Sequence, residues 1–86
     1  MKINQVHDSA IQAHMAAIVG AEEYDRLFPG VQFSDVEGDI MYAYCPEAEL
    51  AEEMEEKYSL HLSIIASEIL KREVGIVMVL PRALAH

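Results

Sequence analysis

The sequence predicts an α+β domain with elements in the order α-α-β-β-α-β. Three observations carry this prediction: residues 46–72 repeat apolar side chains at helical spacing, residues 31–45 read as a hairpin, and residues 74–80 form a short apolar run rich in β-branched side chains. A hairpin followed by a helix and another strand gives a three-stranded sheet with helices packed on one face. We therefore expect a single domain over residues 1–86, with its core in about residues 5–80 and a tail at 81–86.

The first helix is predicted over residues 5–19, where alanines are frequent and apolar residues fall near helical spacing. Asn4 and Asp8 both compete as its N-cap, and Gly20 suits its C-terminal end. Its core face is expected to contain Val6, Ala10 or Ile11, Met15, and Ile18 or Val19.

The second helix is predicted over residues 21–28, because Tyr24, Leu27 and Phe28 share one face. The Pro-Gly pair at 29–30 ends it. Glutamates at its start favour the positive end of the helix dipole.

The predicted hairpin consists of a strand at 31–35, a turn at 35–39 and a return strand at 40–45. Alternation along the return strand places Ile40, Tyr42 and Tyr44 on one face and Met41, Ala43 and Cys45 on the other. A third strand is predicted over residues 74–80, and Pro81 stops it.

The long helix, residues 46–72, has an apolar stripe along one face and must pack against the sheet. The stripe consists of Leu50, Met54, Tyr58, Leu62, Ile65 and Ile69. Pro46 suits the first turn, while Lys71 and Arg72 suit the negative end of the helix dipole.

The charge balance argues against direct, strong binding of nucleic acid, because the formal net charge is −9 and phosphate binding depends on Lys and Arg. Much of the acidic excess lies in the long helix, in Glu47, Glu49, Glu52, Glu53, Glu55 and Glu56. A solvated helix face and a docking surface for a basic partner both fit this pattern. Tyr42 and Tyr44 could stack on bases, but the charge favours core or boundary positions for them.

No pattern indicates catalysis, a cofactor or a metal site. The single cysteine, Cys45, has no cysteine partner for a disulfide or zinc site and reads as a small buried residue. The histidines form no dense ligand motif, and no glycine-rich phosphate loop is present. No apolar run is long enough to span a membrane, so we expect a cytoplasmic protein without a membrane partner.

The chain resembles the N-terminal domain (domain I) of the bacterial replication initiator DnaA over roughly residues 6–80. Three markers carry the resemblance through their order and spacing. They are an acidic–aromatic pair in the second helix (Glu23-Tyr24), a proline after the second strand (Pro46) and a basic–aromatic pair in the long helix (Lys57-Tyr58). It implies a small KH-like fold and a protein-interaction module that is not an enzyme. The chain is then either part of an initiator or a stand-alone relative of domain I.

The resemblance also implies partners: the replicative helicase, an initiator or its regulators, with weak self-association through the first helix. The residues it places in protein interaction are Glu22, Glu23, Tyr24, Leu27, Glu47 and Glu49. For Leu27, as for Phe28, ordinary core packing is the favoured alternative, and Tyr24 fits either position. Two departures from the family alter these contacts, because the chain has no tryptophan and because Glu47 and Glu49 stand where a small polar and an aromatic or apolar residue are usual. The alternative is an acidic DNA mimic or inhibitor that binds a nucleic-acid-binding protein through the Glu-rich helix.

Overall fold

The computed structural model describes residues 1–82 and shows the predicted order of elements. The elements are α1 (Gln5–Val19), α2 (Ala21–Leu27), β1 (Gln32–Glu37), β2 (Ile40–Cys45), α3 (Ala48–Leu70) and β3 (Ile76–Pro81). The central strand is β2, which pairs antiparallel with β1 and parallel with β3. The α+β prediction with a three-stranded sheet is therefore confirmed.

The two faces of the sheet differ in burial as the alternation in the sequence predicts. Met41, Ala43 and Cys45 on β2 are 0% exposed and lie on the face that the helices cover. Ile40 and Tyr42 on the opposite face are only half-buried. Helices thus pack on one face of the sheet, and Cys45 is part of the core.

The strand β1 is longer than predicted, because it continues to Glu37 and the turn is confined to Gly38 and Asp39. An irregularity between Phe33 and Asp35 shifts the register with β2. The extra residue of such a bulge lets Phe33 and Val36, three positions apart, both point into the core. The predicted turn at 35–39 was therefore too long.

Side-chain hydrogen bonds fix the start of α1. The Asn4 side chain caps the helix by accepting from the His7 N–H at 2.7 Å, so Asn4 and not Asp8 is the N-cap. Asp8 lies in the first turn, and its carboxylate accepts from the Phe33 N–H at 3.1 Å, which ties α1 to β1.

The core face of α1 is formed by Ile11 and Met15, both 0% exposed. Val6 was predicted to join them, but it is 75% exposed. The prediction was wrong because Val6 lies in the first turn, where spacing alone does not show how far the core extends along the helix.

The long helix α3 begins two residues after and ends two residues before the predicted bounds, 46–72. Lys71 leaves the helix in the left-handed conformation (φ 57°), and the Arg72 guanidinium donates to the Gly38 carbonyl at 3.1 Å. Neither residue forms part of the last helical turn. The predicted stripe packs on or into the core, which α3 supplements with Ala51, Ala66 and Leu70.

The third strand starts at Ile76 rather than Val74 and includes Pro81. The Arg82 guanidinium donates to the Gly30 carbonyl, so residues 81 and 82 are not a frayed tail; residues 83–86 of the predicted tail lie outside the described residues. Within residues 1–82, no helix is long and apolar enough to cross a membrane.

Candidate protein-interaction surface

The two residue pairs that carry the family resemblance meet in the structure. The Tyr58 hydroxyl on α3 donates to a Glu23 carboxylate oxygen on α2 at 2.8 Å, across 35 positions of sequence. The pairs Glu23-Tyr24 and Lys57-Tyr58 therefore belong to one surface, formed by α2 and the first half of α3.

Ion pairs extend this contact into what we call the α2–α3 network, defined as Glu23, Arg26, Glu53, Lys57 and Tyr58. Arg26 contacts Glu23 at 2.9 Å and binds both carboxylate oxygens of Glu53 through its two terminal nitrogens. Lys57 contacts Glu53 at 2.8 Å and lies 4.0 Å from Glu23. Acidic and basic groups thus surround one another, and their charges cancel within the network.

The network keeps its carboxylates ionised. The hydrogen bond from Arg26, followed by that from Lys57, lowers the pKa of Glu53 from 4.5 to about 2. The hydrogen bond from Tyr58, followed by that from Arg26, lowers the pKa of Glu23. Because a general acid needs a proton near neutral pH, these carboxylates are unsuited to that role.

The pKa is raised, not lowered, for the remaining members of the network, Arg26, Lys57 and Tyr58. The hydrogen bond to Glu53 raises the pKa of Arg26 and of Lys57. The hydrogen bond to the Glu23 carboxylate raises the pKa of Tyr58, because it stabilises the neutral phenol. The chemistry of the network is therefore that of fixed, paired charges that connect α2 to α3.

Tyr24 takes a position between core and surface. Its ring stacks on Phe28 with the centroids 5.0 Å apart and the planes 9° from parallel. Its hydroxyl donates to the Gln12 side-chain oxygen at 3.0 Å, and the Gln12 amide donates to the Val31 carbonyl at 2.6 Å. Tyr24 is half-buried, so replacing it changes the packing of α1 against α2 as well as the surface.

The other predicted interaction residues divide into exposed and buried ones. Glu22, Glu47 and Glu49 are exposed, and Glu49 lines a shallow hollow of about 260 Å³ together with Glu53 and Lys57 of the network. Leu27 is 0% exposed and belongs to the core, so its assignment to the interaction surface is corrected. Exposed glutamates around a neutral network make this surface acidic.

Sequence reasoning missed Arg26 and Glu53 as parts of this surface. The spacing of Arg26 from Glu23 and of Lys57 from Glu53 is that of pairs on one helix turn, which the sequence does show. The pair Arg26–Glu53 joins residues 27 positions apart, and nothing in the sequence indicates it.

Within residues 1–82, no group of three or more His, Cys, Asp or Glu side chains is arranged to hold a metal ion.

Comparisons with known proteins give a likeness of fold. No protein-family model matches the chain, and no curated protein matches it. Among solved structures, the fold matches a chain in the crystal structure of a HobA–DnaA (domain I–II) complex from Helicobacter pylori. The TM-score is 0.70 and the sequence identity is 22%, and the match covers 90% of this chain and 98% of that chain. Identity this low shows likeness of fold, and at that level the resemblance to DnaA domain I is confirmed.

Proposed function

We propose that this chain is a non-catalytic protein-interaction domain that acts in the initiation of bacterial DNA replication. The observation that carries the proposal is the likeness of fold to nearly the whole of a chain that was crystallised within a complex of HobA and DnaA. The proposed partners are the replicative helicase, an initiator or a regulator of the initiator. Such a role would place the protein in the cytoplasm.

The surface that we assign to this role is formed by α2 and the first half of α3. The α2–α3 network holds the two helices together, and exposed side chains such as Glu22 and Glu49 surround it. Because the paired charges in the network cancel, the exposed glutamates dominate the electrostatic potential that a partner meets. A partner with basic side chains fits this surface best.

Weak self-association through α1 is a further part of the proposal. Val6 and Ile18 expose 75% and 49% of their area on this helix. Since each is a single apolar side chain and the helix has no large aromatic residue, an interface through them would be small. Sedimentation of the chain at increasing concentration, with Val6→Ser as the comparison, tests this part.

The test of the main proposal is capture of partners from a lysate of the native host, read by mass spectrometry. Three baits are compared: the natural chain, Glu22→Lys on α2, and Glu37→Lys on the hairpin, where an equally exposed glutamate is reversed in charge outside the proposed surface. We expect the natural chain and Glu37→Lys to enrich the helicase, the initiator or an initiator regulator, and Glu22→Lys to lose it. Equal enrichment by all three baits contradicts the assignment of the surface, and enrichment of no replication protein contradicts the function.

The alternative function, an acidic inhibitor of a nucleic-acid-binding protein, is favoured by exposed glutamates at the N-cap of α3, position 47, and on the helix at positions 49, 52, 55 and 56. The two functions differ in their response to salt. A mimic that binds through the whole run of glutamates should lose affinity more steeply between about 50 and 200 mM salt than a surface on which a few exposed glutamates act beside the half-buried Tyr24 and Tyr58.

A further inference from the structure

The outer edge of β3 has backbone N–H and C=O groups that do not pair with another strand within residues 1–82. The order β1-β2-β3 leaves β3 at the edge of the sheet. The Ile76 N–H donates to the Asp39 carbonyl at 3.1 Å, on the side of β2. In a parallel pair, alternate residues face the neighbouring strand, so the N–H and C=O groups of Val77 and Val79 face outward.

One of these outward groups is bound by a side chain. The Val79 N–H donates to a carboxylate oxygen of Glu55 on α3 at 2.8 Å. Glu55 thus occupies part of the edge that another strand would use, and its negative charge is held there. The edge is polar, ordered and open to a ligand that can replace this carboxylate with a peptide carbonyl.

A groove of about 790 Å³ runs between this edge and α3. Its acidic side is formed on α3 by Glu52, Glu55 and Glu56. Its apolar side is formed by Leu60, Ile76 and Met78, which are 69%, 49% and 36% exposed. The groove therefore combines unpaired strand backbone, negative charge and apolar side chains.

We propose that this groove binds an extended peptide segment of a partner protein, which adds to the outer edge of β3 as a fourth strand. Strand addition gives the outward Val77 N–H a hydrogen-bond partner and replaces the Glu55 carboxylate at the Val79 N–H by a peptide carbonyl. Pockets for alternate side chains then determine which peptide binds. In an added strand, successive side chains point to opposite faces of the sheet. One set lies on the side of α3, beside the glutamates, and the other lies on the open face beside Ile76 and Met78.

The expected ligand is accordingly a peptide that alternates basic and apolar residues. A basic side chain also pairs with Glu55 once the peptide backbone has displaced that carboxylate from Val79. A second copy of this chain is the wrong occupant of this groove, because pairing two β3 edges would bring the groove glutamates of one copy against those of the other: Glu52, Glu55 and Glu56. Nucleic acid is disfavoured by the same repulsion.

This inference does not depend on the proposed role in replication, since it rests on β3 and the flank of α3 that faces it. The two surfaces nevertheless adjoin, because Glu52 and Glu56 line both the groove and the hollow beside the α2–α3 network. A partner could therefore contact the network with a folded domain and the groove with an extended segment.

The test is a titration of the ¹⁵N-labelled chain with a capped peptide of four Lys-Val repeats, followed by NMR. We expect the amide signals of Val77 and Val79 to shift and the exchange of the Val77 N–H with solvent to slow. Two peptides N-methylated at one or the other set of alternate residues retain the charges, and one of them should bind at least ten-fold more weakly. Equal binding of both methylated peptides, or shifts confined to α2, overturns the proposal.

Variants separate charge from backbone pairing. Val77→Pro removes an outward N–H on an edge strand and should weaken binding and reduce the shift at Val79. Because Val77 is 5% exposed, this variant also loses a core side chain and should melt at a lower temperature. The double variant Glu52→Gln with Glu56→Gln leaves the backbone intact and should weaken binding about three-fold at low salt. A circular dichroism melt checks that each variant folds. Should Val77→Pro fail to fold, unchanged affinity in the double variant still overturns the charge pattern of the proposed ligand.

Discussion

Replacing Leu27 by alanine distinguishes a core residue from a contact residue. Leu27 is 0% exposed on α2, among the core side chains, so truncation leaves a cavity in addition to losing apolar burial. Substitutions of this kind cost about 3 kcal/mol. A domain of this size loses roughly 4–8 °C in melting temperature per kcal/mol, which predicts a melting temperature lower by about 12–24 °C.

The assay is a urea titration and a thermal melt followed by circular dichroism, with partner binding measured in the cold on protein that is still folded. Ile64→Ala is the control, because this isomeric side chain is 54% exposed on α3 outside the groove and the α2–α3 network, and its removal should change stability by no more than about 0.5 kcal/mol. We expect Leu27→Ala to bind the partner with the affinity of the natural chain once corrected for the unfolded fraction. A small loss of stability combined with weakened binding would refute the core assignment of Leu27.

Three further predictions concern the α2–α3 network and the start of α1. Because the folded state lowers the pKa of Glu53 from 4.5 to about 2, its contribution to stability is present above pH 4.5 and is lost as the pH falls towards 2. Glu53→Gln should therefore flatten the pH dependence of urea unfolding in this window, and an unaltered pH dependence would contradict the pairing of Glu53 with Arg26 and Lys57. Because the pKa of Tyr58 is raised, we expect its ionisation to be a late step, above pH 10, in a titration that follows tyrosinate absorbance. Tyr58→Phe should remove this step, and an unaltered late step would contradict the hydrogen bond to Glu23. Loss of the N-cap in Asn4→Ala should destabilise the protein by about 1 kcal/mol in a thermal melt, and an unchanged melt would show that the cap contributes nothing.

The helices were predictable because their signals are local. The bounds of α1, 5–19, follow from alanine content and helical spacing, and the stripe on α3 required a sheet to cover it. The alternation in β2 also gave the correct buried face, which includes Met41 and Cys45. These patterns are repeated several times within one element, so single deviations do not hide them.

The features that were not predictable depend on where elements lie in space. The irregularity after Phe33 lengthens β1, and no turn or glycine signal in the sequence marks it. Val6 has the correct spacing for the core but lies beyond the part of the core that α1 reaches. The resemblance placed Leu27 in the interaction surface, because it identifies the helix but does not separate its buried face from its exposed face. Its 0% exposure confirms the alternative that residue type and spacing favoured, a core position.

For the same reason, only some of the pairs in the α2–α3 network could be predicted from the sequence. Pairs within one helix, such as Glu53 with Lys57, follow from spacing. The pairing of Arg26 with Glu53 requires the packing of α2 beside α3, which the sequence does not state. In the structure, the two separate sequence markers Glu23-Tyr24 and Lys57-Tyr58 lie on one surface.

The measurement that tests the central claim most directly is an NMR titration of the ¹⁵N-labelled chain with the purified helicase and the purified initiator of the native host. We predict that at least one of them binds and that the strongest changes fall in α2 and in the first half of α3, around Glu22 and Tyr58. Glu22→Lys should weaken that binding, whereas Glu37→Lys should leave it unchanged. Absence of binding to both proteins, or changes confined to the hairpin, would contradict the account.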